Sequence, residues 1–128
     1  MKPNLLTITS LLSILFGTFH LAQDIVYGYE PGTTRNLIAV PIFVIWLYAT
    51  LLLAERRSGY IIILLGSLLS LAVPLVHMGG KGVGVASRMV GSMGHFFFVW
   101  TLIALSATAL FSVILSVRGL WTSRDNRA

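Results

Sequence analysis

The segment VHMGGKGVGVASRMVGSMGHFFFVW, residues 76–100, joins two long apolar runs of the chain. It contains His77 and His95, several glycines, and the basic residues Lys81 and Arg88. Because lipid offers no hydrogen-bond partners to exposed backbone, a glycine-rich link of this kind is expected at a bilayer surface, between two spanning helices. The segment therefore predicts a helical hairpin whose polar connection lies at one face of a membrane.

The composition around this segment is equally apolar. Of 128 residues, 56% are hydrophobic and 10% are charged, whereas soluble domains have about a quarter of their residues charged. A spanning helix needs ~20 apolar residues, and the sequence supplies four such runs. We expect one integral membrane domain, residues 1–128, with four helices at about residues 5–25, 37–54, 60–77 and 89–117.

The charged residues predict orientation rather than nucleic-acid binding. The net charge is +5, but the basic residues stand at the ends of the apolar runs and form no stripe with interleaved aromatics. More of them fall on the side of the two termini, so the positive-inside rule predicts cytoplasmic termini. The predicted fold is an all-α four-helix transmembrane bundle with up-down-up-down topology. The lack of cysteine excludes disulfides and thiolate metal ligands.

Small and polar residues recur at helical spacing in three of the predicted helices, which places each set on one face. The sets are Thr9, Ser13, Gly17, His20 and Asp24 in the first helix; Gly66, Ser70, Val73 and His77 in the third; and Arg88, Gly91, His95, Val99, Leu102 and Ser106 in the fourth. Polar stripes on apolar helices are expected to face other helices. In the second helix, Trp46 and Tyr48 are too deep for an interfacial belt and are expected to pack inside the bundle.

The predicted topology brings all three histidines of the chain to the same depth, near the outer leaflet. Ionisable residues in spanning segments are costly and usually functional. His20, His77 and His95, together with Asp24, would form a four-coordinate site for zinc or copper(II). Asp24 could instead orient His20, its neighbour at i, i+4, by accepting a hydrogen bond from it.

Other interpretations of the same residues remain open. A haem could be held by two of the histidines, with Lys81 and Arg88 meeting its propionates or another anion. The methionines of the segment offer soft ligands for copper(I), although apolar packing is the better explanation of the methionines alone. The histidines could also simply bond to backbone or headgroups while Asp24 pairs with Arg35.

We therefore expect a small membrane binding protein or subunit that holds a metal ion, a haem or a small polar ligand in an outer-leaflet pocket. The alternatives are a structural or accessory subunit of a larger membrane complex and a small metal-dependent membrane enzyme. The expected partners are the lipid bilayer and either further copies of the chain or a larger complex, without nucleic acid. In general design the chain resembles small four-helix bacterial membrane proteins, which implies the bacterial cytoplasmic (inner) membrane.

Overall fold

The computed structural model describes residues 4–78 and 93–125, and this part of the chain is helical apart from short turns. Its elements, in order, are α1 (Leu5–Val26), a 3₁₀-helix (Thr34–Ile38), α2 (Ala39–Leu52), α3 (Arg57–Met78) and α4 (Met93–Asp125). The all-helical prediction is confirmed. Four helical segments of the described chain are long and apolar enough to span a bilayer. The second of these segments consists of the 3₁₀-helix and α2 together.

The fourth helix is longer than predicted. The apolar run ends near Val117, but α4 continues to Asp125. Leaving an apolar environment does not end a helix, and hydroxyl groups here bond to carbonyls of their own helix. Ser123 Oγ donates to the Gly119 carbonyl at 2.7 Å. The sequence predicts a frayed tail over residues 122–128, whereas residues 122–125 belong to α4.

Side-chain and backbone hydrogen bonds define both ends of α1. At its start, the Asn4 side chain accepts from the Thr7 N–H at 2.8 Å, which satisfies one of the free donors of the first turn. At its end, the N–H groups of Tyr29 and Glu30 both donate to the Asp24 carbonyl, at 2.8 and 3.1 Å. Gly28, at a φ of 75°, allows the chain to turn there. The backbone around Asp24 is thereby tied down.

The described part of the molecule buries polar side chains and exposes apolar ones. Among the described side chains, more polar than hydrophobic residues are buried, and most large aliphatic and aromatic residues are exposed. A soluble domain would show the opposite pattern. Helices in lipid bury small and polar residues against one another, because the lipid solvates the apolar side chains. The four apolar helices and this burial pattern indicate a small membrane protein.

A hydrogen-bonded cluster joins three helices in the interior. Trp46 Nε1 of α2 donates to Ser10 Oγ of α1 at 2.8 Å, and Ser10 Oγ is 2.7 Å from Thr50 Oγ1. Nearby, Ser112 Oγ of α4 donates to Thr9 Oγ1 at 3.0 Å. These bonds fix the lateral packing of α1 against α2 and α4.

The expectation for the second helix is half correct. Trp46 is buried in the interior, as predicted, but Tyr48 is 54% exposed. The two residues are two positions apart, which is more than half a helical turn, so only one of them can face the bundle. The buried residues of α2 are Trp46, Ala49 and Thr50.

Glycines allow the closest approaches between helices. A Cβ placed on Gly66 of α3 would lie 2.5 Å from Cδ2 of Trp46. Gly119 of α4 gives the same kind of room to the ring of Tyr60. The tryptophan of α2 is therefore held from both sides, by Ser10 of α1 and by the backbone of α3.

Candidate metal centre

Two helices supply a group of three ionisable side chains. His20 and Asp24 lie one turn apart in the last part of α1, so they share a face. His77 lies in the last turn of α3. Asp24 Oδ2 is 3.6 Å from His20 Nε2 and 3.4 Å from His77 Nε2. One carboxylate oxygen thus approaches both imidazoles.

The group is largely withdrawn from the surface of the described bundle. The side chains of His20, Asp24 and His77 are 2%, 11% and 14% exposed, respectively. His20 Nε2 and Asp24 Oδ1 are buried and have no hydrogen-bond partner among the described residues. Buried polar atoms are usually paired, so each of these two unpaired atoms needs an explanation.

An aromatic ring and a hydroxyl complete the surroundings. The imidazoles of His20 and His77 meet edge to face, with ring centroids 4.8 Å apart. Phe98 of α4 packs against both rings, at centroid distances of 4.9 and 5.4 Å. Thr101, one turn further, donates to Gln23 Oε1 at 2.7 Å and has its Oγ1 3.5 Å from His20 Nδ1. Helix α4 therefore holds the His20 ring in place.

The structure brings together three of the four predicted metal-site residues: His20, Asp24 and His77. The fourth, His95, lies in the first turn of α4, three positions before Phe98, and its side chain is outside the described part of the chain. The residues predicted to bind an anion, Lys81 and Arg88, also lie outside the described residues. Their roles stay predictions.

The buried face of α4 differs from the predicted one. Val99, Leu102 and Ser106 are only half-buried, whereas Phe98, Thr101 and Leu105 are buried. The predicted face is therefore rotated by one residue. Sequence reasoning missed Phe98 and Thr101 for this reason. The available signal was Thr101, a polar residue three positions after Phe98 and therefore on the same helical face. This signal was weak because small and apolar residues occupy every face of α4.

The distances suit one small cation better than a haem. Two ligands at about 2.1 Å from a tetrahedral zinc lie roughly 3.4 Å apart, close to the two observed distances of 3.4 and 3.6 Å. Ligand atoms of all three residues lie within 4.8 Å of one another. A haem between His20 and His77 would require a porphyrin between rings that are already in contact.

Comparison with known protein families, characterised proteins and solved structures finds no match to this chain. The interpretation of the site therefore depends on its own geometry and chemistry.

Proposed function

We propose that the protein is a membrane-embedded binding protein that holds a zinc or copper(II) ion through His20, His77 and Asp24. Imidazole nitrogen and carboxylate oxygen are ordinary ligands for both ions. In this proposal His95 supplies the fourth ligand, and Lys81 and Arg88 attract an anion to the same end of the bundle. The observation that carries the proposal is the approach of both imidazole nitrogens to Asp24 Oδ2, at 3.4 and 3.6 Å.

The unpaired atoms support a ligand over simple packing. A histidine that served only to join helices would be expected to complete its hydrogen bonds inside the bundle. Instead, His20 Nε2 is buried without a hydrogen bond, and its 3.6 Å distance to Asp24 Oδ2 is too long for one. A metal ion between these two atoms would give His20 Nε2 the partner that it lacks.

The proposed setting is one integral membrane domain with up-down-up-down topology, cytoplasmic termini and an outer-leaflet metal site. The contacts support this arrangement: the end of α1 meets the start of α4 at Tyr27 and Gly94, and the start of α3 meets the late part of α4 at Tyr60 and Gly119. Antiparallel neighbours make such contacts. The charge distribution of the sequence supports cytoplasmic termini, and the general design of the chain supports a bacterial inner membrane. The apolar surface suits lipid, further copies of the chain or a larger complex.

Metal titration of the purified protein tests the proposal. After removal of metal with a chelator, the wild type is expected to bind one zinc or copper(II) ion per chain. His77→Ala removes a ligand and is expected to weaken binding by at least about 100-fold, the upper end of the cost of losing a residue that only orients a ligand. Gln23→Ala is the matched control, because Gln23 lies beside Asp24 on α1 and bonds to Thr101 without belonging to the site.

Two outcomes of the titration would contradict the proposal. If the wild type takes up neither ion while all variants keep their helical content, the three residues form a packing cluster. The structural-subunit interpretation would then replace the metal site. If Gln23→Ala weakens binding as much as His77→Ala, the assignment of the ligands is wrong.

A further inference from the structure

Basic side chains gather at the end of the bundle opposite the metal-site residues. Helix α2 ends at Leu52 and α3 begins at Arg57, and Arg56 lies in the short turn between them, where its N–H donates to the Leu53 carbonyl at 2.8 Å. The side chains of Arg56 and Arg57 are both exposed. Because the turn is short, it holds the two guanidinium groups at the level where the apolar helices stop.

Helix α4 brings a third arginine to the same level. The ring of Tyr60, three positions after Arg57, packs so closely against Gly119 of α4 that a Cβ there would collide with it. Arg118, the neighbour of Gly119, is exposed. Since this contact holds the start of α3 against the late part of α4, Arg57 and Arg118 lie near each other on adjacent helices. We call Arg56, Arg57 and Arg118 the basic cluster.

The protein side chains around the basic cluster do not neutralise its charge. Glu55, in the same turn, is the one acidic residue among the described exposed side chains of this end, against three arginines. Among the described side chains, ion pairs are formed only by the metal-site residues at the other end. That other end has the described exposed residues Glu30 and Arg35, one of each sign. The described part of the bundle is therefore more positive at the end that carries the basic cluster.

An exposed tryptophan lies beside the basic cluster. Trp121 follows Arg118 by three positions in α4, so the two side chains share a face, and Trp121 is 67% exposed. Tryptophan at the end of a spanning helix is typical of the head-group layer, and guanidinium binds phosphate oxygens through paired N–H groups. A phospholipid satisfies both, because its phosphate and its upper acyl chain are adjacent.

We propose that the basic cluster, with Trp121 beside it, preferentially binds an anionic phospholipid. Phosphatidylglycerol, with a net negative head, fits this surface better than phosphatidylcholine, whose own ammonium group offsets its phosphate. Each arginine near an anionic membrane surface strengthens the attraction about fivefold. The proposal rests on the proposed function only for the transmembrane arrangement of the helices, and the metal ion has no part in it.

Quenching of tryptophan fluorescence by brominated lipids tests each end of α4 separately. Trp100 and Trp121 lie towards opposite ends of α4 and are both exposed, whereas Trp46 is buried. Trp100→Phe therefore reports on the basic cluster and Trp121→Phe on the other end, with Trp46 as a constant background. Each protein is reconstituted in phosphatidylcholine vesicles with increasing fractions of brominated phosphatidylglycerol or, as the matched control, brominated phosphatidylcholine. The two leaflets have the same composition.

The expected result is a local preference that depends on the arginines. In the Trp100→Phe protein, half-maximal quenching should need at least about fivefold less brominated phosphatidylglycerol than brominated phosphatidylcholine, and high salt should reduce the difference. Adding Arg57→Gln and Arg118→Gln should remove most of the preference there and leave quenching of Trp100 in the Trp121→Phe protein unchanged. Arg35→Gln, the same loss of charge at the opposite end, is the control and should keep the preference at Trp121.

Three results would overturn the proposal. Equal quenching of Trp121 by the two lipids would exclude anionic lipid as the occupant, and an acidic segment of a partner protein would then be the one to test. A preference that survives both arginine substitutions in protein of normal helical content would show that the guanidinium groups do not cause it. An equal loss of preference at Trp100 would show that the effect is not local.

Zinc titration of the same proteins keeps this proposal separate from the metal site. The arginine variants should bind zinc as the wild type does, because the basic cluster lies at the other end of α3 from His77. His77→Ala should lose zinc and keep the lipid preference. Loss of zinc binding in the folded arginine variants would contradict this separation of the two sites.

Discussion

The contact between α2 and α3 at Gly66 gives a sharp test of the packing. A Cβ on residue 66 would lie 2.5, 2.8 and 2.9 Å from Cδ2, Cε3 and Cε2 of Trp46. The indole cannot easily move, because it is buried and its Nε1 donates to Ser10 Oγ at 2.8 Å. Overpacking of this kind costs about 1–3 kcal/mol. The Gly66→Ala variant also gains up to about 1 kcal/mol of helix propensity.

Gly17→Ala is the matched control because it has the same propensity gain without the collision. A Cβ on residue 17 would lie 3.3 Å from Cε1 of Phe43, and a half-buried phenylalanine can shift by a few tenths of an ångström. The difference between the two variants cancels helix propensity and leaves the collision. We expect Gly66→Ala to be less stable than Gly17→Ala by about 1–3 kcal/mol.

Reversible unfolding in mixed micelles, with helical content followed against the fraction of sodium dodecyl sulfate, measures this difference. The double variant Ser10→Ala/Gly66→Ala adds a second check, since removing the Ser10 hydroxyl frees the indole to move. The cost of Gly66→Ala should then fall by at least about 0.5 kcal/mol, the scale of coupling between contacting residues. Equal stability of Gly66→Ala and Gly17→Ala would refute the packing of Trp46 against α3.

Three further predictions follow from the interior and the topology. Ser10→Ala leaves the Trp46 N–H without its acceptor and should destabilise the protein by about 1–2 kcal/mol. Ser106→Ala, whose hydroxyl donates to the Leu102 carbonyl of its own helix, should cost less than about 0.5 kcal/mol in the same unfolding assay. Zinc affinity measured by titration should fall as pH is lowered, because a protonated imidazole cannot ligate; an affinity independent of pH would exclude imidazole ligands. Single cysteines at Thr33 and Ser58, both exposed, should react with an impermeant reagent from opposite sides of the membrane, and reaction from one side would contradict the up-down order.

The buried face of α1 could be predicted from the sequence because polar residues are rare in an apolar helix. Thr9, Ser13, His20 and Asp24 stand out against aliphatic neighbours, and all four are buried as expected. Helix α4 lacks this contrast. Phe96, Phe97 and Phe98 are identical in chemistry, yet only Phe98 is buried. Phe98 is buried because it packs against His20 and His77. A single sequence does not show such contacts between distant residues.

The sequence was enough to predict that the site residues lie close together, but not how their side chains are arranged. Helix order and length were enough to expect His20 and His77 at one depth, and they do approach each other. The sharing of one Asp24 oxygen depends on side-chain rotamers, which periodicity does not specify. A pocket at this depth was expected, but the cavity that His20 and Asp24 share with Phe43 and Trp46 was not, because it depends on how the helices diverge there.

The polar interior has a consequence for the synthesis of the protein. Helix α1 leaves the ribosome before α3, with Asp24 and His20 in its last part, while His77 follows about fifty residues later. At an elongation rate of roughly 5–20 residues per second, that interval is about 3–10 s. An Asp at the centre of an isolated helix disfavours insertion by about 2.5–3.5 kcal/mol, and less near its end. During that interval the ionisable side chains of α1 lack their partner from α3, so insertion of α1 alone is less favourable than insertion of the assembled pair.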